Sequence, residues 1–262
     1  MTEVVMRRVE DGVAVITLNR PERLNAWTEE MEHAYFDLLE ECSLSPAVRV
    51  IVVTGAGRGF CAGADMNDLQ ALGDGTPNGG ETRRQRRPQS FPLSVPKPII
   101  AAINGPCAGI GLAQVLMCDI RFAAAGAKLT TAFARRGLIA EHGTSWMLPR
   151  LLGPARALDL LLSGRVVLAE EAAEMGLVNR VLAPELLLAE TIAYARELAV
   201  NCSPASMATM KRQVYADLER GLDAALDAAD ALMLASFARP DFREGVASFV
   251  ERREPHFAAV GS

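Results

Sequence analysis

The chain has 262 residues, with 27 basic against 32 acidic side chains and a net charge of −5. Half of the residues are hydrophobic and 23% are charged, the composition of a globular protein long enough to bury a large core in one or two domains. That balance excludes disorder and fibrous repeats, and with no basic excess to neutralise phosphates it argues against nucleic acid as a partner.

The first residues, MTEVVMRRVEDG, lack the long apolar stretch of a secretory signal. Val13–Leu18 is β-branched and reads as a buried strand, and residues 48–53, closed by Thr54 and Gly55, read as another. Between them Thr28 can cap a helix with Glu29 and Glu30 in its first turn. Met31, Ala34, Tyr35, Leu38, Leu39 and Cys42 recur along one face of that helix. Strand, helix and strand make a crossover unit of an α/β sheet. Residues 73–89 are polar, basic and rich in Gly and Pro, so a loop is expected, with Arg83, Arg84, Arg86 and Arg87 on a solvated face. Residues 98–118 carry no charge and are long enough to span a bilayer. Asn104-Gly105-Pro106 interrupts them, however, and predicts a strand over 98–103, a turn, and a helix over 108–117. Ile120–Ala124 reads as a further strand. After Thr144 short helices alternate with Gly/Pro punctuation, one more strand is expected over 177–182, and beyond Pro184 the pattern is helical, with an apolar stripe over 221–234. Cys42, Cys61, Cys107, Cys118 and Cys202 are widely spaced, odd in number and without a C-x-x-C pair, as in reduced cytoplasmic proteins.

Two glycine-rich loops each follow a strand. The first, TGAGRGFCAGAD at 54–65, has G-x-G-x-G spacing instead of the dinucleotide G-x-G-x-x-G, and no G-x-x-x-x-G-K-[ST] occurs anywhere. Cys61-Ala62-Gly63-Ala64-Asp65 and Cys107-Ala108-Gly109-Ile110-Gly111 each place small residues where a helix opens. Free N–H groups there favour negative charge, and two such loops could converge on one carbonyl oxygen as an oxyanion hole. Tight turns and close helix packing would use the same residues, and the spacing leaves both readings open. Glu141, in GLIAEHG at 137–143, is an isolated carboxylate in an apolar segment, placed either for proton transfer or to offset the start of the next helix. His142 lies beside it. With three histidines and no clustered ligands a metal site is not expected, and Ser145 lacks the context of a hydrolase nucleophile.

Taken in order, ITLNRPERLNA (16–26), VVTG (52–55), GFCAGADM (59–66), PKPIIAAING (96–105), MCD (117–119), LPRLLG (148–153), AAEMGLV (172–178) and FVERR (249–253) resemble the enoyl-CoA hydratase/isomerase, or crotonase, superfamily over nearly the whole chain. The resemblance implies an α/β spiral of ββα units over residues 1–200 and a helical carboxyl-terminal region, 201–262, that builds homotrimers, commonly stacked as hexamers. It implies an acyl-CoA thioester substrate and no separate cofactor. It would put the thioester oxygen between the amides of Ala64 and Ile110, the adenine against Ala62, Gly63, Ala64, Asp65 and Met66, Arg23 near the CoA phosphates, and Phe257 near a neighbouring subunit's CoA. The two glutamates of typical hydratases fall at Ala113 and Phe133, whereas Glu141 matches the single glutamate of similar 3-enoyl-CoA to 2-enoyl-CoA isomerases. Isomerisation is therefore favoured. Enoyl-CoA hydration is the first alternative, hydrolysis or decarboxylation of an acyl-CoA another, and a non-catalytic acyl-CoA-binding protein a third.

Overall fold

The computed structural model describes residues 3–73 and 87–259. β1 (Val5–Glu10) and β2 (Val13–Leu18) form an antiparallel hairpin in which Glu10 pairs with Val13. Asp11 and Gly12, at φ 49° and 77°, turn the chain with two left-handed residues, the conformation that an Asp-Gly pair favours. β1 buries Val5 alone, so its composition does not show a strand, although the Asp-Gly pair does mark the turn. α1 (Glu29–Leu44) begins as its sequence predicts: the Thr28 side chain accepts a hydrogen bond from the Met31 amide at 3.2 Å. Its inner face buries Met31, Tyr35, Leu39 and Cys42, and with them Glu32 and Phe36.

There follow β3 (Val50–Gly55), α2 (Met66–Gly73), α3 (Phe91–Ser94), β4 (Ile99–Ile103), β5 (Cys107–Ala108), α4 (Ile110–Leu116), β6 (Ile120–Ala124) and β7 (Lys128–Thr130). The remainder comprises α5 (Thr144–Leu152), α6 (Pro154–Ser163), β8 (Val167–Leu168), α7 (Ala169–Glu174), β9 (Arg180–Leu182), α8 (Leu187–Asn201), α9 (Pro204–Asp217), α10 (Leu222–Phe237) and α11 (Pro240–Glu251).

Two sheets result. The larger has the order β1-β2-β3-β4-β6-β9 and is parallel after its first hairpin; the smaller has the order β5-β7-β8. The chain puts β4 in the large sheet, β5 in the small one and then winds α4. It repeats the move with β6, β7 and α5, which is a spiral of ββα units. β3 and β4 are buried at every position, so they read as unbroken apolar runs, as central parallel strands do. α8 packs across β3 and closes one face of the large sheet. Among the described residues no helix is long and apolar enough to cross a membrane, and all five cysteines are unpaired.

Several boundaries moved, for local reasons. The strand expected over 48–53 occupies Val50–Gly55, and the one expected over 177–182 is confined to Arg180–Leu182 because Leu177 and Val178 close the turn after α7. The helix expected from residue 108 starts at Ile110, since Ala108 belongs to β5 and Gly109, at φ 52°, lies outside the helix. β5, β7 and β8, two or three residues each, are too short to leave a periodic signature. Arg87 sits at the rim of α1, where its guanidinium bonds Asp37 at 2.6 Å and Glu40 at 2.5 Å. Arg83, Arg84 and Arg86 lie outside the described residues.

Gly111 is where helix and loop meet most tightly. A Cβ there would stand 2.6 Å from the Cys61 carbonyl oxygen and 2.7 Å from the Cys61 Cβ. Gly111→Ala should therefore lower stability by about 1–3 kcal/mol through overpacking, although alanine is the better helix former. Urea unfolding of the two proteins checks this; equal midpoints would show that the contact relaxes freely.

Candidate active site

The glycine loops leave the carboxyl ends of β3 and β4, the edge at which open parallel sheets bind ligands. Two asparagines hold the first loop. The Asn25 side chain, fully buried, accepts from the Arg20 amide at 2.8 Å and donates to the carbonyls of Ala56 at 3.0 Å and Gly59 at 2.8 Å. Asn104 donates to Gly55, Gly57 and Gly59 at 2.9, 3.0 and 3.2 Å and accepts from the Gly55 amide at 3.2 Å. The loops are then joined backbone to backbone: the Cys61 amide donates to Pro106 at 3.1 Å, and the Ala108 amide donates to Cys61 at 2.9 Å.

A second bridge determines which amides stay free. Trp27 donates to the Gly63 carbonyl at 2.8 Å and accepts from the Asp65 amide at 2.9 Å. Residues alternate in direction along an extended strand, so the Ala64 amide points away from Trp27, and among the described residues it donates to no group. Ile110 opens α4, and its amide likewise has no acceptor among the described residues. Gly63 and Gly109 have φ of 106° and 52°, and a Cβ on Gly109 would lie 3.8 Å from the Gly63 Cα. The bare backbones at these two positions let the loops approach.

Both amides face a cavity of about 740 Å³. Ala62, Gly63, Ala64, Asp65, Met66, Ile110, Arg23 and Glu141 all line it, so the fold brings together every candidate residue except Phe257. Phe257 is buried against Gly245 in a separate cavity of about 610 Å³ between α9 and α11. Phe133 forms part of the main cavity wall, and Ala113 lies fully buried within α4, so neither position supplies a carboxylate.

Glu141 precedes α5, with its carbonyl accepting from the Thr144 amide at 3.0 Å and the Thr144 hydroxyl at 2.7 Å. The residue capping α5 is Gly143, and no side chain, that of Glu141 included, makes a capping hydrogen bond there. The carboxylate is about one-third exposed (34%), with Oε2 3.5 Å from His142 Nε2. Burial lowers the His142 pKa against the upward pull of Glu141 and Glu32, which keeps the imidazole neutral near pH 7. Burial also pushes the Cys61 thiol beside the loop up to about 12, so Cys61 is not a nucleophile.

Five contributors escaped the sequence analysis: Arg20, Asn25, Trp27, Glu32 and Asn104. Trp27 and Glu32 line or border the cavity, Arg20 and Asn25 fix its entrance loop, and Asn104 ties the two loops together. Glu32 alone left a signal, a carboxylate four residues before Phe36 on the buried side of α1.

The sequence of residues 8–259 matches the family described as Enoyl-CoA hydratase/isomerase. The chain is 37% identical to the 1,2-epoxyphenylacetyl-CoA isomerase of Escherichia coli K12 over 98% of its own length and 99% of that protein. It is 38% identical to a probable enoyl-CoA hydratase of Rhodobacter capsulatus, covering 95% of each. The crystal structure of a probable enoyl-CoA hydratase/isomerase from Mycobacterium abscessus superposes with a TM-score of 0.88 at 31% identity, over 97% of this chain and 98% of that one. Two sheets built by ββα units, with helices at the carboxyl end, make this the crotonase fold. The chain belongs to the enoyl-CoA hydratase/isomerase family and is an enzyme of it, an isomerase or a hydratase.

Asp65 has a structural task. Its Oδ2 accepts from Arg20 Nη2 at 3.0 Å and its Oδ1 from the Asn67 amide at 3.1 Å. Burial raises its pKa, but the Asn67 amide and the Arg20 guanidinium outweigh that and hold it below the ordinary 3.8. The folded value lies below the unfolded one, so this stabilisation is complete above the unfolded pKa and lost as pH falls through the folded one. Asp65→Asn should cost about 1–2 kcal/mol at neutral pH, with the deficit shrinking through the carboxylate range in chemical denaturation. A deficit independent of pH would remove the charge from this account.

Proposed function

We propose that the enzyme isomerises 3-enoyl-CoA to 2-trans-enoyl-CoA. The observation that carries this reading is a pair of unpartnered amides, Ala64 and Ile110, opening on the same cavity as Glu141. With the thioester oxygen between those amides, the enolate is stabilised by donors already in position, which acidifies the C2 proton. Glu141 takes that proton, the double bond moves from C3=C4 to C2=C3, and the same carboxyl returns the proton at C4. One carboxylate suffices, in keeping with the apolar Ala113 and Phe133. The substrate's own CoA is the only cofactor this chemistry requires. On this reading, as the family resemblance implies, the adenine lies along the backbone of Ala62, Gly63, Ala64, Asp65 and Met66, which line the cavity, and the exposed Arg23 approaches the phosphates. The name of the E. coli relative also favours an isomerase.

Hydration of a 2-trans-enoyl-CoA is the second reading, favoured by the neutral imidazole of His142 beside Glu141, which can orient a water, and by the hydratase relatives. Absorbance of the conjugated thioester separates the two. A rise with a 3-enoyl-CoA and a steady signal with a 2-trans-enoyl-CoA supports isomerisation; a fall with the latter supports hydration. Glu141→Gln should reduce kcat by about 10²–10⁴-fold while leaving acyl-CoA binding within about twofold. An unchanged kcat would take Glu141 out of the mechanism.

The same reading assigns residues 201–262 to subunit assembly. Leu222, Phe249 and Val250 there are 74, 85 and 73% exposed, far more apolar surface than a free helical face tolerates. Phe257 lines the cleft on this side, apart from the main cavity, in keeping with the neighbouring-subunit CoA contact that the family resemblance implies. Sedimentation should give three or six times 28.1 kDa, and Phe249→Glu should shift the distribution toward the single chain. A wild-type monomer at micromolar concentration would overturn the assignment.

A further inference from the structure

Glu32 is 6% exposed, yet it lines the cavity that holds Glu141 and the two free amides. A chain of hydrogen bonds fixes one of its oxygens. Gln114 Nε2 donates to Gln89 Oε1 at 2.5 Å, Gln89 Nε2 donates to Glu32 Oε2 at 2.7 Å, and Trp27 Nε1 donates to the same oxygen at 3.2 Å. Gln114 lies one turn beyond Ile110 on α4, so the chain links the helix that opens with a free amide to Glu32 on α1 at the cavity wall. Each group in it has its direction set: the amides donate toward Glu32, and Glu32 accepts. Its second oxygen, Oε1, accepts nothing among the described residues, although it is not sealed from the cavity.

Among the described residues no arginine or lysine pairs with Glu32. Without such a partner, and with burial lowering the pKa of the nearby His142 against the pull of Glu32, a carboxylate held so deep costs more than the isosteric glutamine, which could accept from Trp27 and Gln89 equally well. Packing therefore does not account for the acid, whereas an acceptor offered to a ligand does. The same cavity is lined by Trp27 and Phe133 together with charged and polar side chains, and an acyl group lying against Glu32 without a donor would leave Oε1 unmatched.

Resting on the acyl-CoA reading above, we propose that Glu32 is a specificity-determining residue: its Oε1 accepts a hydrogen bond from a hydroxyl on the acyl chain, so that hydroxylated acyl-CoAs are the preferred class of substrate. The test is calorimetric binding of hexanoyl-CoA against the same thioester carrying a hydroxyl at C4, C5 or C6, with the methyl ether of the best one as control. In the wild-type protein at least one hydroxy compound should bind about tenfold or more tightly than hexanoyl-CoA, and its methyl ether should lose that gain. In Glu32→Gln, which preserves both supporting hydrogen bonds and hence the fold, the preference should fall to about threefold or less; in Glu32→Leu it should vanish. Hexanoyl-CoA bound as tightly as every hydroxy compound would overturn the proposal while leaving the acyl-CoA reading intact. A preference unchanged in Glu32→Gln would overturn it as well. Failure of all these thioesters to bind would overturn the acyl-CoA reading and this inference together.

Discussion

Everything distinctive about this site depends on two backbone N–H groups, those of Ala64 and Ile110, that among the described residues have no protein acceptor. Both open on the cavity, so the fold's task is to keep protein acceptors away from them while leaving them accessible to a ligand. Here the constraints come from both sides. Trp27 takes the carbonyl of Gly63 and the amide of Asp65, and Cys61 is bridged to Pro106 and Ala108. Between them these bonds leave the Ala64 amide no direction except the cavity. Ile110 is exposed by a different device, the start of a helix whose preceding residue is a left-handed glycine.

The electrostatics follow the same division between scaffold and chemistry. Asp65, which ends the glycine loop, is consumed by Arg20 and by the first turn of α2, and so acts as a structural anion. Glu141 is placed otherwise. Its backbone is tied to Thr144, its side chain caps no helix, and it lies beside a histidine whose pKa burial lowers. A carboxylate with a fixed backbone and an uncommitted head can exchange a proton without dismantling the fold.

The sequence showed much of this, with failures that have definite physical reasons. The long parallel strands and α1 were legible because a fully buried strand needs an unbroken apolar run and a capped amphipathic helix needs both its Thr28 and its stripe. The strand β1 was missed because an edge strand that buries Val5 alone carries no pattern, and β5, β7 and β8 because two or three residues make no period. Asn25 and Asn104 look like ordinary turn residues in sequence. Their importance lies in the carbonyls of 55–59, which reach them only after the strands are aligned.

By itself the sequence determined the class of fold and the two small-residue loops, since these are matters of local volume, periodicity and composition. The tertiary structure alone decided which amides would be free, that Glu141 shares a cavity with them, that Asp65 belongs to Arg20, and that Glu32 points inward from a helix otherwise read as core. Those facts depend on which backbone groups are taken by distant partners and on where water is excluded, and neither quantity exists until the chain has folded.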